Sequence, residues 1–196
     1  AAFISYVSFS IWGFLEFTRS KKWYWPVLIG LFAGAAILCK WLVGLFVFLP
    51  WGLYLILGRR WNIKELKALS IAFLCALIIA IPWQILTFLW YPAEAAKEMA
   101  YNFTTALEGH QHPWFYHFQQ IENIYGMLAS IIMLPALCLF YVKAKNKQLA
   151  LALVLAVVFV YGFFTLAATK MPSFTAVILL IPIVAFAHVL TYLESL

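Results

Sequence analysis

Aspartate is absent from this chain; its seven acidic residues are all glutamates: Glu16, Glu65, Glu94, Glu98, Glu108, Glu122 and Glu194. Charge of either sign is scarce, at 10% of the 196 residues, where a soluble domain carries about a quarter. So few charges cannot clothe a globule of this size in polar surface, which excludes a water-soluble domain and leaves lipid as the solvent that fits. Cysteine is scarce too: Cys39, Cys75 and Cys138 sit in apolar stretches without pairing or metal-ligand spacing and read as small buried hydrophobes. The net charge of +6 does not imply nucleic acid, because no stripe of Lys and Arg lies on a polar scaffold. An initiator Met and a basic leader are also missing from the apolar opening Ala1-Ala2-Phe3-Ile4, so the expectation is a piece of a longer membrane protein, cut near the start of a helix.

What fills the chain is apolar sequence, with a mean hydropathy of +0.96. A helical span takes about 20 apolar residues, with about 17 as the lower limit. The runs that qualify are 1–17, 23–39, 41–57, 68–90, 121–142, 149–167 and 173–192. Ten of the 13 basic residues fall in three clusters between them: Arg19, Lys21 and Lys22; Arg59, Arg60, Lys64 and Lys67; Lys143, Lys145 and Lys147. With all three clusters in the cytoplasm the runs alternate correctly, provided 23–57 is a hairpin turning near Lys40. The expected fold is therefore all-α: one polytopic transmembrane bundle over residues 1–196, with about seven spans. Trp23, Trp25, Trp51, Trp61, Trp83 and Trp90 fall mostly near run ends, where amphipathic rings prefer the interface. Gly30 and Gly34 form a small-xxx-small pair able to seat one helix closely on another. One long outer loop, 91–120, is expected to open with a short interfacial helix over 93–107 and to continue as a Gly/Pro-punctuated segment rich in His and aromatics.

This topology gathers the residues capable of polar chemistry on the outer face: Lys40, Glu94, Lys97, Glu98, Glu108, His110, His112, Tyr116, His117 and Lys170. A lysine at membrane depth is expensive and is usually paired or functional; the plainer reading is that it snorkels to the headgroups. Two such lysines at one depth, Lys40 and Lys170, read as walls of an anionic site whose natural guest is a phosphate. His110, His112 and His117 can supply three imidazoles to a divalent metal, or His110 and His112 can hydrogen-bond a phosphate. The turn Pro113-Trp114-Phe115-Tyr116 serves either as an interfacial anchor or as a wall for a sugar or lipid headgroup.

Four segments resemble a known family. Gly30-Leu-Phe-Ala-Gly-Ala-Ala-Ile-Leu-Cys-Lys40, Ile81-Pro82-Trp83, Glu108-Gly-His-Gln-His-Pro-Trp-Phe-Tyr116 and Thr169-Lys170-Met-Pro172-Ser-Phe174 with Pro182 are similar, in that order, to motifs of polytopic glycosyltransferases of the GT-C fold. The similar group contains the protein O-mannosyltransferases and the lipid A aminoarabinose transferases, and Phe174 stands where its members usually have Tyr. The resemblance implies an inverting transfer of a sugar from a polyprenyl-phosphate donor to an acceptor hydroxyl of a lipid, glycan or protein. It implies an active site on the extracytoplasmic face of a bacterial inner membrane. Lys40, Lys170, His110, His112, Tyr116 and Glu108 would then contact the substrates, with no cofactor beyond a possible divalent metal. The group's catalytic base is an acidic residue in the first outer loop, expected upstream of Ala1, so the fragment alone is expected to be inactive. A transporter or flippase and a non-catalytic membrane subunit are the alternatives; the first would favour a polar pathway at mid-depth and internal repeats.

Overall fold

The computed structural model describes residues 1–97, 110, 112–167 and 169–194. They are helical almost throughout, with no strand among the described residues. In chain order come α1 (Ala2–Ser20), α2 (Tyr24–Lys40), a 3-10 stretch (Trp41–Phe48), α3 (Leu49–Leu57) and α4 (Ile63–Trp90). Residues 92–97 are helical, and α5 (Tyr116–Tyr125), α6 (Met127–Lys143) and α7 (Lys147–Leu166) follow. The chain closes with α8 (Pro172–Thr175), a 3-10 turn (Ala176–Ile178) and α9 (Leu180–Glu194). Two of the longest helices start on asparagine caps placed just beside basic residues. The Asn62 side chain accepts the Glu65 amide at 3.0 Å, and Asn146 accepts the Leu149 amide at 3.1 Å, each satisfying one of the free first-turn donors.

Three stretches are long and apolar enough to cross a membrane: Tyr24–Leu57, Ile63–Trp90 and Lys147–Leu166. The number rises to five if the bent pairs α5–α6 and α8–α9 are each taken as one crossing. The expectation of about seven is thus met only as a helical bundle with several membrane-length apolar helices.

The 34-residue stretch Tyr24–Leu57 does not run straight. Its backbone breaks at Lys40 (φ −148°, ψ 57°) and Trp41 (φ 18°, ψ −120°). A Cβ placed on Gly44 would lie 2.6 Å from the Ile37 amide nitrogen, whereas seven residues of continuous helix would separate the two by about 10 Å. The chain therefore doubles back on α2 at Lys40.

Named contacts fix the direction of the neighbouring helices. Ser10 donates to the Ile29 carbonyl at 3.3 Å while Trp12 meets Trp25 and Phe9 meets Phe32, so α1 and α2 are antiparallel. Gly30 abuts Ala72 and Cys75, and Gly34 abuts Ala76 and Ile79, so α2 and α4 run parallel with the returning segment between them in sequence. Phe140 meets His188 and Lys143 lies over Tyr192, making α6 and α9 parallel.

Packing inverts the soluble pattern. Along α4, Ala68, Ala72, Ala76 and Ala80 are buried at four-residue spacing, while Ile78 and Leu89 are 71% and 69% exposed. In water the large aliphatic groups would drive inward; in lipid they lose nothing by facing out, and small residues let helix backbones approach.

Two expected runs are bent. Within the run 121–142, α5 lies at 108° to α6. The corner is Gly126 at φ 87°, ψ 160°, a conformation essentially restricted to glycine, and Gln119, Gln120, Glu122 and Asn123 make α5, just before it, amphipathic. The run 173–192 is likewise broken, with a 54° bend between Pro172–Ile178 and Leu180–Glu194. Of the helix expected over 93–107, residues 98–107 lie outside the described residues.

Candidate functional site

Lys40 is the last residue of α2, and the reversal of the chain directly after it turns its side chain across the bundle. Its Nζ donates to Ser173 Oγ at 2.5 Å, lies 4.0 Å from Met171 Sδ and stands 4.3 Å from the centre of the Phe174 ring. A cation over an aromatic face is held by the ring's quadrupole. This gives the Phe174 ring a defined part, beneath the Lys40 ammonium.

Lys170 belongs to the same short segment. It is 7% exposed, its Nζ donates to the Ala167 carbonyl at 2.8 Å, and its amide donates to the His110 carbonyl at 3.1 Å. The two expected lysines therefore meet through residues 170–174, although they are far apart in sequence, and His110 is tied to them through its backbone. Neither lysine is paired with a carboxylate among the described residues, where the ion pairs are Arg19–Glu16 and Lys21–Glu65. Fixed positive charge without a protein counter-ion, beside a hydroxyl donor, suits a bound phosphate.

An aromatic wall completes the cluster. His112 stacks on Tyr116 with ring centres 3.9 Å apart and planes 4° off parallel. Tyr116 meets His117 edge-on at 5.4 Å, His117 meets Phe164 at 6.1 Å, and Phe164 stacks on Phe174 at 4.8 Å. Contacts thus run from His112 to the ring beneath Lys40. The turn Pro113-Trp114-Phe115-Tyr116 closes with the Tyr116 amide on the Pro113 carbonyl at 3.0 Å and leads into α5. Trp114 is 67% exposed, as an interfacial anchor requires.

The three histidines do not form a metal centre. No group of three His, Cys or Glu side chains among the described residues is placed to hold an ion. His112 is engaged with Tyr116, and His117 is fully buried with both ring nitrogens unpartnered. Burial first, then the positive charge of Lys170, then His112 hold His117 down to about 4; His117 precedes the apolar run that opens at Ile121. In the unfolded chain the same ring takes up a proton near pH 6.5. Stability associated with the neutral ring is therefore complete above pH 6.5 and is lost as pH falls towards about 4. Lowering the pH from 7 to 5 is expected to lower the melting temperature of the wild type more than that of His117→Phe, as measured by thermal unfolding in detergent; equal shifts would exclude His117 as the cause.

Lys40, Lys170, His110, His112 and Tyr116 thus gather at one end of the bundle, while Glu108 lies outside the described residues. Ser173 was missed by sequence reasoning. A serine three residues after a lysine is too common to stand out, and its partner lies 133 residues away. No protein-family model, no curated protein and no solved structure matches this chain.

Proposed function

We propose that this chain forms the donor-phosphate-binding part of a membrane glycosyltransferase that moves a sugar from a polyprenyl-phosphate carrier to an acceptor hydroxyl. The observation that carries the reading is that Lys40 reaches Ser173 and Phe174, in the short segment that also carries Lys170, and that neither lysine has a carboxylate partner among the described residues. In the reaction the bond from the anomeric carbon to the phosphate oxygen breaks and a bond to the acceptor oxygen forms with inversion. The acceptor proton passes to a base, and the electron pair of the broken bond leaves on the phosphate. The two ammonium groups stabilise that departing charge, and Ser173 is a second donor beside it. The wall of Tyr116 and His112 is the surface for the sugar. The gathered residues that are described hold no carboxylate, so proton abstraction falls to an acidic residue outside that group.

The membrane arrangement in this proposal has seven passes. Support comes from the alternating helix directions, the reversal at Lys40, and the meeting of the first two basic clusters at one end through Lys21 and Glu65. Phe46, just past the reversal, packs on Phe163 and Phe164 near the end of α7. Lys147, about 25 Å earlier along the helix, then lies towards the basic side. Lys40 and Lys170 then face the outside of a bacterial inner membrane. The test is transfer of a labelled sugar from polyprenyl-phosphate donors by membranes carrying the full-length protein. Transfer to an acceptor hydroxyl is the expected result; none from any donor despite good expression would overturn the reading in favour of a transporter.

A further inference from the structure

A cavity-lining cluster sits at the basic end of the bundle, away from Lys40. The cavity, of about 650 Å³, opens where the end of α1, the start of α2 and the start of α4 meet. Its charged lining is Lys21, Lys64, Lys67 and Glu65, with Asn62 beside them, an excess of positive charge. Phe17, Pro26 and Ile71 supply an apolar wall. At its rim, Trp23 and Ile63 are 81% and 77% exposed, as residues that dip into a lipid interface are.

Glu65 is the unusual member. An asparagine cap followed three residues on by glutamate normally sends the carboxylate back to the cap's own amide. Here Glu65 instead takes Lys21 Nζ on Oε1 at 2.5 Å. It is 7% exposed, and Oε2 is buried with no donor. A buried carboxylate oxygen without a donor is costly, and a ligand entering the cavity that Glu65 lines can supply one. The first-turn amides of α4, at Ile63 and Lys64, are not used by the helix's own carbonyls and favour an anion at the same place.

We infer that this cavity binds the headgroup of a membrane phospholipid that carries a phosphate and a protonated primary amine. Lys21, Lys64, Lys67 and the first turn of α4 take the phosphate. The ammonium donates to Glu65 Oε2, and the upper acyl chain lies along Phe17, Pro26 and Ile71. Neither a purely anionic headgroup nor a quaternary ammonium offers Glu65 an N–H donor. The site rests on the membrane reading and is independent of sugar transfer.

Native mass spectrometry of the full-length protein in detergent, with phosphatidylethanolamine or phosphatidylcholine added, tests this. The two lipids share the phosphate and differ in the amine protons. The ethanolamine lipid is expected to be retained about tenfold better, the worth of one hydrogen bond to a charged group. Glu65→Gln is expected to bring the two lipids level, and Lys64→Ala with Lys67→Ala to weaken both. The double lysine variant changes only exposed residues, so it remains informative if Glu65→Gln does not fold. Equal retention of the two lipids by the wild type would overturn the proposal, as would unchanged retention by the double variant or stronger retention of phosphatidylglycerol. Displacement of the lipid by an equal concentration of soluble glycerophosphoethanolamine would also overturn it, by making the ligand a soluble phosphate ester.

Discussion

Replacing Lys40 by Met in the full-length protein is expected to lower sugar transfer by about a hundredfold or more without lowering its abundance in the membrane, the scale set by removing one preorganised donor from a developing oxyanion. Methionine keeps most of the side chain's bulk beside Met171 and Phe174 and removes only the ammonium. Because charge accumulates on the phosphate as the sugar leaves, the loss should fall mainly on kcat rather than KM. Lys170→Met should act in the same direction. That lysine also holds the Ala167 carbonyl at 2.8 Å, so part of its effect comes through the placement of residues 167–174. Arginine at position 40 should not restore full activity, because its guanidinium is bulkier than the ammonium that lies against Ser173 Oγ at 2.5 Å. Lys22→Met, at the opposite end, is the control and should transfer normally. Normal turnover in both Lys40→Met and Lys170→Met would remove the phosphate clamp altogether.

What the sequence shows of this arrangement follows from which signals are local. Lys40 interrupts a long apolar stretch, and a single charge at that depth is a local mark; the chain turns there. The pairing of Lys40 with residues 170–174 was legible only as two lysines on one side. The hydroxyl and the ring that receive Lys40 are ordinary residues until the fold brings them across the bundle. The bend at Gly126 was not legible, because Ile121, Ile124 and Tyr125 extend the apolar run of α6 and one glycine does not announce a positive φ. The start of α4 was read five residues late for a related reason. Lys64, Glu65 and Lys67 interrupt an apolar count, whereas Asn62 and Glu65 three residues apart mark a helix start in capping terms.

The seam between α2 and α4 yields the second large effect. Gly30→Leu is expected to prevent the bundle from assembling, seen as loss of a monodisperse species in detergent and loss of a cooperative thermal transition. A Cβ on Gly30 would lie 2.6 Å from the Cys75 Cβ and would press on the Ala72 carbonyl, which is backbone and cannot swing aside. Gly30→Ala alone should therefore cost about 1–3 kcal/mol, the usual range for overpacking, and leucine adds three more carbons in the same place. Gly34 repeats the contact one turn on, where an added Cβ would lie 2.8 Å from the Ile79 Cβ, so α4 cannot relieve the clash by tilting about that point. Gly162→Leu is the matched control: a Cβ there meets nothing within 4 Å, and it should leave the transition unchanged. If both leucine variants melt alike, the seam is not tight and close approach of the two helices is not what holds α4 in the bundle. If only Gly30→Leu fails, glycine against alanine does here what apolar burial does in a soluble core, since α4 turns its large aliphatic groups outward.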